Sequence, residues 1–220
     1  MIIKSYDFDL MDSKMYVIRD GDEAVVIDPN VNDEAFEYLS GVRKVIILLT
    51  HEHFDHISGV NTFKERYDCE VICSETCNSI MATKASNTRI FPFLFLSDKD
   101  KFHYVRTHYK LPYYCSADRT FSGELNITAA GHDFRLYEMP GHSPGSIVIM
   151  MDDNIMFSGD NILGNGNEFI FRDSDKLYYQ TVFMPFIIGL KNTGVKVMPG
   201  HGTADSLEHF IDLISSYNYD

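Results

Sequence analysis

Thr50-His51-Glu52-His53-Phe54-Asp55-His56 follows directly on Val45-Ile46-Ile47-Leu48-Leu49. The apolar run is short and β-branched, with charge before it and polar residues after it, and so reads as a buried strand. The histidines therefore stand where a strand stops. In an extended segment side chains two apart point the same way, so His51 and His53 can share one metal ion while Asp55 and His56 turn toward a second. Imidazole and carboxylate are ligand types that zinc accepts. A solvated polar loop uses the same residue types, so the motif needs support from elsewhere in the chain.

That support comes from three later segments that share one layout, a strand followed at once by a glycine-bracketed polar residue. They are Met139-Pro140-Gly141-His142-Ser143-Pro144-Gly145, Phe157-Ser158-Gly159-Asp160 and Met198-Pro199-Gly200-His201-Gly202. Each places a ligand-type side chain at a strand end, and glycine allows the close backbone approach that loops converging on a small charged centre require.

Residues 1 to 28 read as a β-meander, with strands near Ile2 to Phe8, Met15 to Ile18 and Ala24 to Ile27 and a tight turn at Asp20-Gly21-Asp22. Asn32 offers a helix cap, with Asp33 and Glu34 in the first turn and Gly41 beyond the end. Helical spacing of Val60, Phe63 and Tyr67 predicts a helix over 58–67, followed by a strand at Val71-Ile72 and a helix from Glu75 to about Lys84. Further strands are expected near Leu125 to Thr128, Phe134 to Glu138, Ser146 to Met151, Asn154 to Phe157 and Val195 to Met198. Helices are expected from about Asp175 to Leu190 and from Asp205 to Tyr217. Strand-rich and helical blocks alternate twice, which points to a layered α/β protein.

Residues 86 to 122 differ in character, with nine aromatics and six basic residues against three acidic ones, and with no clear single period. This net-basic stretch in an acidic protein is either a packed excursion or dimer contact, or a lid-like pocket wall for an apolar or anionic substrate.

At 220 residues, with 45% of them hydrophobic, the chain has the length and core of one domain spanning 1–220. A formal charge of -13 argues against a surface that follows a nucleic-acid backbone, so a small-molecule substrate is the expected partner. Cys69, Cys73, Cys77 and Cys115 form no zinc-knuckle pattern and read as reduced, partly buried thiols. No signal peptide and no membrane-length run is visible, so a cytoplasmic location without membrane contact is expected.

His51-Glu52-His53-Phe54-Asp55-His56, then His142, Asp160 and His201, stand in the order found in the metallo-β-lactamase superfamily, and the chain resembles its glyoxalase II-like members. The resemblance implies a four-layer αβ/βα sandwich with two metals in a cleft at one edge of the two sheets. It further implies that His51, His53 and His142 hold the first metal, that Asp55, His56 and His201 hold the second, and that Asp160 bridges them. Two Zn2+ are the expected cofactors, with iron or manganese as alternatives. Two such ions about 3.5 to 4 Å apart lower the pKa of a water between them toward roughly 7, giving a bridging hydroxide. Asp55 doubles as the candidate catalytic proton relay, although a metal ligand is a poor base. Thr50, Ser143 and Ser158 are candidates for orienting the ligands.

Full-length glyoxalase II enzymes carry a further helical part that grips glutathione, whereas one short helix follows His201 here. Substrate choice is therefore expected to rest on residues 86 to 122. The implied reaction is hydrolysis of an ester-like bond, a thioester or a lactone. The alternatives are a phosphodiesterase, as in relatives like ribonuclease Z, and a mononuclear iron persulfide dioxygenase, since two histidines and one carboxylate can hold Fe(II). A flavodiiron protein is disfavoured by His53, and a metal-stabilised scaffold without turnover by the complete ligand set. His103, His108, His132 and His209 have no partners at ligand spacing and read as surface or core histidines. One of Tyr104, Tyr109, Tyr113 and Tyr114 is expected to reach the cleft as an oxyanion donor.

Overall fold

The computed structural model describes residues 2–83, 96–162 and 174–216. The first sheet begins as the expected meander, β1 (Ile3–Phe8), β2 (Ser13–Asp20) and β3 (Glu23–Ile27), all antiparallel. Three further strands, β4 (Lys44–Leu48), β5 (Asp68–Ser74) and β6 (Arg119–Phe121), join it in parallel, in the order β1-β2-β3-β4-β5-β6. Parallel neighbours need crossovers. These are α1 (Asp33–Tyr38), the pair α2 (Phe54–Ile57) and α3 (Val60–Arg66), and finally α4 (Glu75–Met81) with α5 (Lys99–His108). Asn32 and Ser74 cap α1 and α4 by accepting from the amides of Ala35 and Cys77.

The second sheet runs β12-β11-β10-β9-β8-β7. It comprises β7 (Glu124–Ala129), β8 (His132–Glu138), β9 (Ile147–Met151), β10 (Ile155–Gly159), β11 (Lys196–Pro199) and β12 (Asp205–Ser206). Its outer face carries α6 (Lys176–Tyr178), a π turn at Tyr179–Phe183, α7 (Met184–Gly189) and α8 (Leu207–Ser216).

Side-chain alternation explains the layering. In β4, Val45 and Ile47 face the helices with Phe36, Leu39 and Phe63, while Ile46 and Leu48 face the other sheet. In β9, Ile147, Ile149 and Met151 meet that inner core, and Val148 and Met150 pack on Phe183, Ile187 and Phe210. Strands covered on both faces read as unbroken apolar runs rather than alternating ones. Each wholly buried aliphatic side chain contributes roughly 1.5–3 kcal/mol. The result is helices, sheet, sheet, helices, the four-layer αβ/βα sandwich expected from the sequence.

Several local expectations change. Only His51 to His53 continue in extended form; Asp55 and His56 sit on the helical turn α2, which re-aims them. The helix expected over 58–67 starts at Val60, after Gly59, whose amide donates to Pro29 O and where a Cβ would lie 2.7 Å from Asn30 O. Residues 99–108, in the stretch without a clear period, form α5, capped by Asp98. The helix expected over Asp175–Leu190 is widened at its centre by the π turn. Residues 86 to 95 of the aromatic stretch lie outside the described residues. The four cysteines are free thiols, with Cys73, Cys77 and Cys115 buried. Among the described residues no helix is long and apolar enough to cross a membrane.

Candidate metal centre

Strand direction assembles the site. β8 and β10 are each antiparallel to β9, and β11 is parallel to β10, so β8, β10 and β11 run the same way. Their C-terminal ends lead into His142, Asp160 and His201, just as β4 leads into His51. Cross-links hold the two sheet edges together there. Ile147 donates its amide to Thr50 O (2.8 Å), Lys14 donates its amide to Gly200 O (2.8 Å), and the Tyr16 hydroxyl donates to Pro199 O (2.7 Å). Gly200 is a steric requirement, since a Cβ there would run into the Asp160 carboxylate and the His56 ring.

All seven ligand-type side chains predicted from the sequence come together, in two groups. In the first, His53 Nδ1 lies 3.0 Å from both His51 Nε2 and His142 Nε2, and Asp160 Oδ2 lies 3.8 and 3.5 Å from those two nitrogens. In the second, Asp55 Oδ2 lies 3.4 Å from His56 Nε2 and 3.3 Å from His201 Nε2. Asp160 faces this group as well, with Oδ1 3.3 Å from His56 and Oδ2 3.4 Å from His201. Ligands tetrahedrally arranged at zinc distances of about 2.0–2.1 Å are separated by about 3.3–3.4 Å. The observed spacings bracket that edge length.

The orienting hydrogen bonds show which atoms are left to converge. Asp28 accepts from the Thr50 amide (2.7 Å), from the Thr50 hydroxyl (2.5 Å) and from His56 Nδ1 (2.9 Å). The Thr50 hydroxyl has one hydrogen, which goes to the carboxylate, so it accepts from His51 Nδ1–H at 3.0 Å. His201 Nδ1 donates to Met11 O at 3.0 Å. These bonds leave Nε2 of His51, His56 and His201 facing the centre, the arrangement that outer partners impose on metal-binding imidazoles. Among the described residues, His56 Nε2 and Asp160 Oδ1 are buried 3.3 Å apart with no well-formed hydrogen-bond partner. Unpartnered buried polar atoms are costly, and a cation between them removes the cost; the residues fit a metal pair. Asp28 also lies close to His51 and His56, but its oxygens are committed to three donors, so it orients the ligands.

Electrostatics divide the groups. Burial, reinforced by His56 and His53, pushes His51 well below the usual histidine range, and burial with His142 takes His53 to about 4. These two are neutral donors at neutral pH. In the second group burial opposes every charge and loses. Asp55 and Asp160 are held well below the usual carboxylate range by the His56 charge and by hydrogen bonds from His201 and His56. His56 is held well above its usual value by Asp160 and Asp55, and His201 is raised to about 9 by hydrogen bonds to Asp160 and Asp55.

Of the three orienting candidates, Thr50 acts on His51 directly. Ser143 donates to Glu52 Oε2 at 3.0 Å and so braces the loop that carries His142. The Ser158 hydroxyl instead bonds Gly159 O and Ile162 O, closing its own turn rather than contacting a ligand. Sequence reasoning missed Asp28, Glu52 and Asn161. Val26-Ile27-Asp28-Pro29 has the same strand-then-polar layout as the other loops, so that signal was present. Asn161 accepts from the His142 amide and donates to Met139 O, and nothing in its sequence position marks it.

Tyr104, Tyr109, Tyr113 and Tyr114 line a cavity whose described lining includes none of the seven ligand-type residues. The Tyr113 hydroxyl accepts from the Asn61 amide at 3.1 Å. His132 pairs with Asp152 and His209 with Asp205, while His103 and His108 are exposed, as expected of histidines outside the centre.

Comparison with known proteins agrees with this geometry. A beta-lactamase-like protein 2 homolog of Drosophila melanogaster is 26% identical over 219 residues, covering 94% of this chain and 64% of that protein. A hydroxyacylglutathione hydrolase of Shewanella pealeana is 23% identical over 170 residues (77% of this chain, 50% of that one). The acyl-coenzyme A thioesterase MBLAC2 of Gallus gallus is 25% identical over 185 residues (81% and 64%). The chain thus spans about half to two thirds of the length of these curated relatives. The crystal structure of the BLEG-1 B3 metallo-beta-lactamase superposes with a TM-score of 0.71 at 23% identity, over 96% of this chain and 97% of that one. The family model of the metallo-beta-lactamase superfamily matches residues 9–180, and with the fold and the convergent histidines and aspartates it shows that the chain belongs to that superfamily.

Proposed function

We propose that this chain is a binuclear metal-dependent hydrolase of an ester-like bond in a small molecule, with a thioester as the first substrate class and a lactone as the second. The convergence of seven ligand-type side chains in two groups that share Asp160 carries this reading. His51, His53 and His142 hold one ion and Asp55, His56 and His201 the other. Bound there, two ions would supply Lewis acidity toward a carbonyl oxygen and a water acidified to near neutral pH. The protein's share is positioning. Asp28 and Met11 O keep three imidazoles in one tautomer, and Asn161 and Ser143 hold the His142 loop. Asp55, ionised and set between His56 and His201, is an acceptor for a departing proton, although of low basicity. Similarity to proteins named as a thioesterase and a hydroxyacylglutathione hydrolase supports the thioester over a phosphodiester.

The test is metal analysis of protein purified without added metal, followed by thioester, lactone and phosphodiester reporters. Two zinc ions, or a mixed pair, per chain with thioester or lactone turnover is the expected result. Activity on the phosphodiester alone overturns the substrate class. One iron per chain, with oxygen consumed on addition of a persulfide, overturns hydrolysis itself.

A further inference from the structure

The cavity between α3 and the end of α5 has no part in the metal centre. It encloses about 730 Å³, within the range of small-molecule sites. One wall is aromatic. Tyr104 stacks on His108 with ring centroids 3.9 Å apart and still keeps 45% of its surface exposed, and Tyr114 is 39% exposed. Aromatic faces at a concavity offer stacking surface to a flat ligand. Polar residues of α3 adjoin the tyrosines. Asn61 uses its amide nitrogen on Tyr114 O at 2.9 Å, which turns its carbonyl oxygen into the available acceptor. Thr62 is half-buried beside it. The back of the cavity, Tyr109 and Tyr113, packs edge-on against Phe54 at 5.1 and 5.4 Å, and Phe54 sits between His53 and Asp55.

We propose that this cavity is a binding site for a planar heteroaromatic ring, of the nucleobase kind, with the ring face on Tyr104 and Tyr114 and the ring edge on Asn61 and Thr62. An aliphatic group would leave those edge groups unpartnered, and a plain phenyl ring would do the same. A heteroaromatic edge supplies donors and acceptors while its face stacks.

Adenosine is the probe, titrated into metal-loaded protein and followed by amide chemical shifts, with ribose as the control that lacks the ring. Saturable shifts at Asn61, His108 and Tyr114, absent with ribose, are expected. Tyr104→Ala weakens the affinity roughly tenfold and Tyr104→Phe, which keeps the ring, restores it. Tyr104 is exposed, so neither variant threatens folding. The reading is independent of turnover, so its failure is distinct from failure of the proposed hydrolysis. Three results overturn it: no saturable shift, shifts confined to residues 51–56 and the His142 loop, or a dimer in solution that Tyr104→Ala dissociates, which would make this face a contact between copies of the chain.

Discussion

The two halves of the metal centre use similar donors under opposite electrostatic regimes. Around His53 three imidazole nitrogens meet, burial keeps His51 and His53 neutral, and the Asp160 carboxylate stands 3.8 and 3.5 Å from the His51 and His142 nitrogens. Around Asp55 the donors are stored as ion pairs, with protons on His56 and His201 balanced by Asp55 and Asp160. The first half offers neutral imidazoles to a cation. The second holds protons that a cation would displace. Asp160 faces both, so it couples two groups that differ in charge.

The sharpest way to break this contrast is to remove the shared residue. Asp160→Ala is expected to lower metal content in both halves and to reduce activity by more than about 100-fold, beyond the 10–100-fold typical of losing an orienting partner. Loss of only one ion per chain would show that the halves are independent. Asp28→Asn comes next. It puts a donor amide where Thr50, His56 and, through Thr50, His51 need an acceptor, so affinity for both ions should fall roughly 10–100-fold in a chelator titration. An unchanged first site would mean that Thr50 holds His51 unaided.

Acidity separates the halves most directly. In the metal-free protein His201 titrates at about 9 when folded against 6.5 as the reference. Its contribution to stability is complete below pH 6.5 and is lost as the pH rises through 9. His53, at about 4 against the same reference, acts in the opposite sense: its contribution is present above 6.5 and is lost as the pH falls through 4. Melting temperatures of chelator-treated protein should therefore decline on both sides of neutrality. Calorimetry of metal uptake at pH 7 in buffers of different ionisation enthalpy should show proton release on filling the second half and little on filling the first. Equal release from both would refute the division. The smallest effect is expected from Ser143→Ala, which removes a buried hydrogen bond to Glu52. A stability loss of about 1–2 kcal/mol, with metal loss confined to the first half, would show that the Glu52 brace serves His142 alone.

The contrast between halves also shows what the linear chain could reveal. The ligand types were legible because metal chemistry restricts them to few residues, and their placement was legible because each follows an apolar run that ends in glycine or polar residues. The helical turn under Asp55 and His56 was not, since four residues carry too little periodicity to distinguish it from an extended segment. Helix α5 was obscured because its aromatic residues form no single stripe: Phe102 packs into the cluster of Phe8 and Phe54 while Tyr104 stacks on His108. Ser158 looked like an orienting residue because it neighbours a ligand, yet a hydroxyl at a turn finds its nearest acceptors on its own backbone.

By itself the sequence determined the layered α/β class, the seven convergent side chains and their order, because strand burial and ligand chemistry are properties of residue type and spacing. Only the tertiary structure decided which half of the centre carries charge, that Asp28 and Asn161 hold its loops, and that the tyrosines line a separate cavity. Those outcomes depend on burial, and on contacts between residues 19 to more than 100 positions apart, such as Asn161 with His142 and Met11 with His201. Proximity of that kind is created by the packing of two sheets and cannot be read from neighbours along the chain.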